Sequence, residues 1–130
     1  MTIRRVVPHL RADDIEAARD FYAGFLGLEV AMDLGWIVTL ASPSNPTAQL
    51  NLYGEAAPPA SAQPRLSIEV GDVDAVHAEA QRRGIEIVHP ITDEAWGVRR
   101  FFARDPSGNI VNVLSHLPGE GPQRSGADDA

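Results

Sequence analysis

The stretch Asp105-Pro106-Ser107-Gly108-Asn109-Ile110-Val111-Asn112-Val113 joins a tight turn to a strand. Proline presets its own φ, Asp and Asn bond to nearby backbone, and Gly supplies a left-handed step, so the first five residues read as a turn. From Ile110 the pattern changes to period two, with Val111 and Val113 on one face and Ile110, Asn112 and Leu114 on the other. Such a turn is common by itself. What decides the fold is that this strand closes a series of elements whose order already occurs once, earlier in the chain.

Working back from it, residues 65–70 alternate as a strand. Asp72 offers an N-cap, and Val73, Val76 and Ala80 mark one face of a helix running to Gly84, before Ile85-Glu86-Ile87-Val88 resumes a strand. At the start of the chain, Val6, Pro8 and Leu10 alternate with Val7, His9 and Arg11. Asp13 and Asp14 then offer N-caps, and Asp13 with Glu16 reads as a variant capping box. Ile15, Ala18, Tyr22 and Phe25 fall on one helix face, and Gly27 ends that helix. Strands are expected at about 29–33, 36–41 and 48–53, with Leu34-Gly35 and Pro43-Ser44-Asn45-Pro46 as turns.

Two short stretches correspond between the halves. Asp14-Ile15-Glu16-Ala17 matches Asp72-Val73-Asp74-Ala75 at an offset of 58, and Leu26-Gly27-Leu28-Glu29-Val30 matches Arg83-Gly84-Ile85-Glu86-Ile87 at 57. Two βαβββ modules are the economical reading; the alternative is two unrelated amphipathic helices, each followed by a strand. The expected organisation is a first module over 1–54, an Ala, Pro and Ser-rich linker over 55–64, a second module over 65–117 and a disordered tail over 118–130.

Composition bounds the chemistry. The chain has 130 residues, enough for one domain built from two small halves. No run of about 18 apolar residues is present to span a bilayer, and the polar start does not build a signal-peptide core, so the expected location is the cytoplasm. With no cysteine, only oxygen and nitrogen ligands remain for a metal. Eleven basic against eighteen acidic residues leave a net charge of −7, which disfavours nucleic acid and anionic membranes and suits small neutral or cationic ligands. The chain carries no Gly-x-Ser-x-Gly, phosphate-binding glycine loop or His-Glu-x-x-His.

Alternation also sorts the strand faces. Leu66, Ile68 and Val70, like Leu50 and Leu52, should back onto the helices, as should Val111 and Val113. The opposite face then carries His9, Gln49, Asn51, Tyr53, Arg65, Ser67, Glu69, Phe102 and Asn112 beside Val7, Ile110 and Leu114. That mixed lining suits a bulky, partly polar organic molecule. His77, His89 and His116 have no ligand-like spacing and are expected at the surface, as is Arg104; Arg65 and Arg100 are candidates to pair with Glu69 or to bind ligand oxygens.

Taken in order, Asp14-Ile15-Glu16-Ala17-Ala18, Phe21-Tyr22, Leu26-Gly27-Leu28, Val70-Gly71-Asp72-Val73-Asp74, Trp96-Gly97 and Asp105-Pro106-Ser107-Gly108-Asn109 resemble the vicinal oxygen chelate superfamily over about residues 3–116. That superfamily includes glyoxalase I, extradiol dioxygenases, fosfomycin-resistance enzymes and bleomycin-resistance proteins. The resemblance implies an α+β fold whose paired βαβββ modules form a curved mixed sheet with a concave ligand groove, in a homodimer with both chains contributing to the groove. It also places Trp36 and Trp96 near the mouth of that groove, where an indole can stack on an aromatic ligand.

Metal-binding members place His in the first strand, His, Glu or Gln in the fourth, His at the start of the second module and Glu in the last strand. Counting from the matched motifs puts these positions at Val7, at Gln49 or Asn51, at Arg65 and at Asn112. Valine cannot coordinate, guanidinium repels a cation and an amide is a weak neutral donor. The implied relative is therefore the metal-free bleomycin-resistance branch, with no cofactor and no catalytic residue: a protein that sequesters a small hydrophobic or aromatic natural product. Its ligand-binding residues would be Val7, His9, Trp36, Gln49, Asn51, Tyr53, Arg65, Ser67, Glu69, Trp96, Phe102 and Asn112. The alternatives are a metal-dependent glyoxalase-like lyase or dioxygenase with a site shifted onto His9, Glu69 and Gln49, a metal-free isomerase with Glu69 as base, and a dimer whose groove is filled by its own side chains.

Overall fold

A computed structural model of the chain describes residues 1–54 and 63–118. Residues 55–62 of the expected linker and 119–130 of the expected tail lie outside the described residues. The first module runs β1 (Ile3–Arg11), α1 (Ile15–Arg19) continued by a π-helical segment (Asp20–Phe25), β2 (Glu29–Asp33), β3 (Ile37–Ala41) and β4 (Gln49–Tyr53). The second runs β5 (Leu66–Val70), α2 (Val73–Arg82), β6 (Ile87–Asp93), β7 (Val98–Arg104) and β8 (Ile110–His116).

All eight strands form one sheet in the order β2-β3-β4-β1-β5-β8-β7-β6. Within each module the first strand lies parallel to the last, β1 with β4 and β5 with β8, and the other pairs are antiparallel. The modules meet where β1 pairs antiparallel with β5, with Val7 opposite Ser67 and Val6 opposite Ile68. The sheet therefore has a pseudo-twofold centre, and the first strand of each module lies at it.

The internal repeat is visible in the local chemistry. Asp14 and Asp72, 58 residues apart, each cap a helix by accepting from the backbone N–H three residues on, Ala17 and Ala75, both at 3.1 Å. The cap of α1 is thus Asp14 alone, and Asp13 takes no part in it. Gly27 and Gly84, 57 residues apart, end the helical segments with φ of 86° and 67°, a conformation that disfavours a side chain.

Both helices cover the same face of the sheet. Val73, Val76 and Ala80 of α2 pack on Ile68, Val70, Phe101, Val111 and Val113, while Ile15, Ala18 and Tyr22 pack on Val38, Leu40, Leu50 and Leu52. Phe25, expected on the buried face, is instead 72% exposed. The helix widens to π-helical winding at Asp20–Phe25, which rotates the following side chains off the α-helical stripe. Leu28 joins the core in place of Phe25. The segment Ile85–Val88 becomes a strand only from Ile87, because the backbone N–H of Ile85 is held by the carbonyl of Ala80 in the turn that ends α2.

The Asp105–Asn109 turn is structural. The carboxylate of Asp105 accepts from the backbone N–H groups of Ser107 and Asn109 and from the Asn109 side chain. Those bonds, the Asn109 side chain foremost, hold its carboxyl below the usual range. The turn joins β7 to β8 and so sets their register, Phe102 opposite Asn112. No helix among the described residues is long and apolar enough to cross a membrane.

Candidate functional site

The sheet face away from the helices carries buried polar side chains where no helix lies over it. Thr39, Asn51 and Ser67 are fully buried, Asn112 is 1% exposed and His9 7%. They occupy five adjacent strands, β3, β4, β1, β5 and β8, and their register brings them into one row. Thr39 stands opposite Asn51, His9 opposite Asn51, and Ser67 opposite Asn112.

The row is hydrogen-bonded end to end. The Thr39 hydroxyl donates to Asn51 Oδ1. That leaves Asn51 Nδ2 facing His9 Nε2 at 3.3 Å. His9 Nε2 also meets Ser67 Oγ at 2.8 Å, and Ser67 Oγ accepts from Asn112 Nδ2 at 2.9 Å. An amide nitrogen can only donate, so Nε2 is the acceptor in this arrangement and the proton of the neutral ring sits on Nδ1. Burial, helped by the positive charge of Arg100, lowers the pKa of His9 from 6.5 to about 4. At neutral pH the ring is uncharged.

This gives a stability signature. Between about pH 6.5 and pH 4 the unfolded chain takes up a proton at His9 that the folded chain does not. Stability is therefore expected to fall as pH drops through that window, by about 3 kcal/mol for this group alone. Urea denaturation at pH 7 and at pH 4.5 should show a smaller loss in His9→Gln than in the unaltered chain. Equal losses would place the titrating group elsewhere.

A second cluster adjoins the row. Arg5 donates through Nε to Glu69 Oε1 at 2.6 Å and through Nη1 to Gln49 Oε1 at 2.7 Å, while His116 Nδ1 lies 2.7 Å from Glu69 Oε2. Burial works against the charge on Glu69, but the His116 hydrogen bond together with the charge and hydrogen bond of Arg5 outweighs it, and the carboxyl sits below its usual range. Glu69 is thus partnered by Arg5, where Arg65 and Arg100 were the expected candidates. Arg65 is exposed, and Arg100 donates to Glu94 at 2.7 Å.

A third group lies toward β6 and β7. The Arg100 guanidinium packs over the rings of Phe102 and Trp96, with its centre 4.7 Å and 5.0 Å from their centroids. His89 stacks on Phe102 with ring centroids 4.8 Å apart. On the opposite flank Trp36 and Met32 pack with Ile37 and Tyr53, and Arg11 lies over the Tyr53 ring. The two tryptophans thus belong to opposite halves of the sheet, Trp36 preceding β3 and Trp96 preceding β7, with four strands between.

Of the expected residues, the fold joins His9, Asn51, Ser67 and Asn112 directly, and Gln49 with Glu69 through Arg5. Val7 is buried beside the row, but His9 rather than Val7 makes its hydrogen bonds, and Ser67 rather than Arg65 does so on β5. Each pair lies two residues apart on one face, so alternation alone does not say which member enters the row. Thr39, Arg5, His116, His89 and Glu94 were not foreseen. Two steps of two back from His9, through Val7, reach Arg5, so strand alternation places it on the same face. His116 and His89, expected at the surface, are half-buried on Glu69 and Phe102, and His77 meets the Phe101 ring edge-on.

The profile of the Glyoxalase/Bleomycin resistance protein/Dioxygenase superfamily matches residues 2–113. The chain belongs to this superfamily. Among solved structures it is similar to a superfamily member from Vibrio splendidus 12B01, with a TM-score of 0.65 and 20% identity over 88% of this chain and 99% of that one. It is similar also to a hypothetical protein from Bacillus halodurans C-125, with a TM-score of 0.70 and 16% identity over 88% and 95%. An extradiol ring-cleaving dioxygenase from B. fuscum aligns with a TM-score of 0.69 and 22% identity over 89% of this chain but 33% of its own length. These likenesses concern the fold. No curated protein matches the chain in sequence.

Metal-binding members of the superfamily would hold their metal on this face, and the donor set here does not fit one. The row offers one imidazole, whose Nε2 lone pair is already taken, with two amides and two hydroxyls, all neutral. Among the described residues no three His, Cys, Asp or Glu converge on a common point. A site shifted onto His9, Glu69 and Gln49 is not assembled either, since Arg5 bonds both Glu69 and Gln49.

Proposed function

We propose that this protein binds a small, largely apolar aromatic molecule on the concave face of its sheet and sequesters it without a metal and without turnover. The observation that carries this reading is the neutral, hydrogen-bonded row Thr39-Asn51-His9-Ser67-Asn112, which offers one imidazole and no carboxylate on the face where metal-binding members of the superfamily would need His and Glu. Aromatic side chains flank it on both sides, Trp36 and Tyr53 on one, Phe102 and Trp96 on the other. Such rings add about 0.5–1.5 kcal/mol per stacked pair beyond the burial of area. A binder of this kind protects by mass action, so affinity and abundance set its effect. The reading extends to a cytoplasmic homodimer whose groove draws on both chains, and to an antibiotic or self-made toxin as its natural ligand.

The test combines metal analysis with binding. Protein purified without chelator and then equilibrated with Zn, Mn or Fe(II) is expected to hold well under one equivalent, and flat aromatic antibiotics are expected to quench tryptophan fluorescence saturably with no product by mass spectrometry. One tightly held equivalent of metal, lost in His9→Gln, would sink the reading in favour of a metal-dependent lyase or dioxygenase.

A further inference from the structure

Two buried N–H donors on this face have no hydrogen-bond acceptor among the described residues: Nδ1 of His9 and Nε1 of Trp96. For His9 the row explains why the donor is there. Because Nε2 accepts from Asn51 and Ser67, the ring proton sits on Nδ1, and that atom is buried, so the proton is kept from water. For Trp96 the indole N–H can only donate. A buried donor left unmatched costs stability, and native folds seldom leave two of them in one region without a reason.

Arg100 adjoins both donors. The Arg100 guanidinium lies over the Trp96 ring, and its charge reaches His9. Glu94 balances Arg100 and Glu69 balances Arg5, and no carboxylate is bonded to either orphan donor. The net charge of −7 favours neutral or cationic ligands at long range, but at contact the two unmatched donors call for acceptors.

We propose that the ligand presents acceptor oxygens, carbonyl or carboxylate, on a flat aromatic frame, one directed to His9 Nδ1–H and another to Trp96 Nε1–H. Cationic, donor-rich molecules are discriminated against, because they leave both donors unmatched and meet Arg100. The inference rests on the binding reading above and specifies its ligand. Rejection by a site built to hydrogen-bond a partner is steeper than rejection by shape.

Four probes of one shape separate the contributions: 2-naphthoate, 2-acetonaphthone, 2-methylnaphthalene and 2-naphthylmethylammonium, titrated calorimetrically into the full chain. The two acceptor probes are expected to bind at least tenfold more tightly than the hydrocarbon, and the ammonium more weakly than the hydrocarbon. A lead of naphthoate over the ketone would assign the oxygen as anionic, and parity would assign it as a carbonyl; both support the proposal. Trp96→Phe keeps a ring and removes one donor, so the ratio of acceptor-probe affinity to hydrocarbon affinity should fall several-fold. His9→Leu should do the same if it folds, and Trp96→Phe stands alone if it does not. Equal affinity for the acceptor probes and the hydrocarbon, or a preference unmoved in Trp96→Phe, overturns the acceptor rule and leaves ligand binding intact. Failure of all four probes overturns the acceptor rule, and only a stoichiometric metal would overturn the sequestration reading itself.

Discussion

Glu69→Leu is expected to destabilise the fold by about 3–5 kcal/mol, out of a total of about 5–15 for a domain of this size. The magnitude follows from burial. The Arg5 side chain is 5% exposed and the Glu69 side chain 13%, and their contact is 2.6 Å. Removing the carboxylate takes away the charge to which Arg5 Nε donates and leaves the guanidinium in the sheet interior, still bonded to the neutral Gln49 amide oxygen. Removing both charges is a different experiment. Arg5→Met with Glu69→Leu replaces the pair by apolar groups of similar volume and should regain more than half of the loss, because neither charge is then buried alone. Denaturant midpoints of the two single variants and the double variant give the coupling. Additive losses would show that the pair contributes nothing specific. The carboxyl of Glu69 lies below its unfolded value, so its contribution is present above that value and is lost as pH falls through the folded one. That window lies at the acid edge of the His9 window, so the two groups can be separated with the variants.

How far these features were legible in the sequence depends on whether they are local or cross-strand. The caps Asp14 and Asp72, the left-handed Gly27 and Gly84 and the turn at Asp105 act through backbone within a few residues, and each is visible as a residue type at a fixed offset. The repeat of those signals at 57 and 58 residues is enough to define two modules and, with period-two alternation, the faces of β4, β5 and β8. Alternation determines a face but not which residues meet across it. His9 and Val7 share a face, as do Ser67 and Arg65, and only the pairing of Val7 with Ser67 and of His9 with Asn51 selects the bonded set. Partners 45 to 64 residues apart, such as Arg5 with Glu69 or Asn112 with Ser67, have no local signature at all. The π-helical turn at Asp20–Phe25 is a further case, since its amino acids are compatible with ordinary helix and the widening is settled by packing.

That turn bears on the second large effect. Phe101 is 1% exposed and sits at the centre of the α2 side of the core, against Val70, Val73, Ala80 and Val113, with His77 edge-on at 4.9 Å. Phe101→Ala is expected to cost about 3–5 kcal/mol, the transfer of the ring to water plus the cavity left behind. The surroundings can close that cavity only poorly, because two of its walls, Val70 and Val113, are strand residues held by sheet register. Phe25→Ala removes the same group from a position 72% exposed and should cost less than about 1 kcal/mol, mostly its contact with Phe21 at 5.4 Å. An α-helix continued without widening would place Phe25 on the stripe with Ile15, Ala18 and Tyr22, and its removal would then cost nearly as much as that of Phe101. Paired urea titrations of the two variants therefore measure the core and the helical register together. A small loss for Phe101→Ala would contradict the packing of α2 on the second module, and a large loss for Phe25→Ala would contradict the π-helical turn.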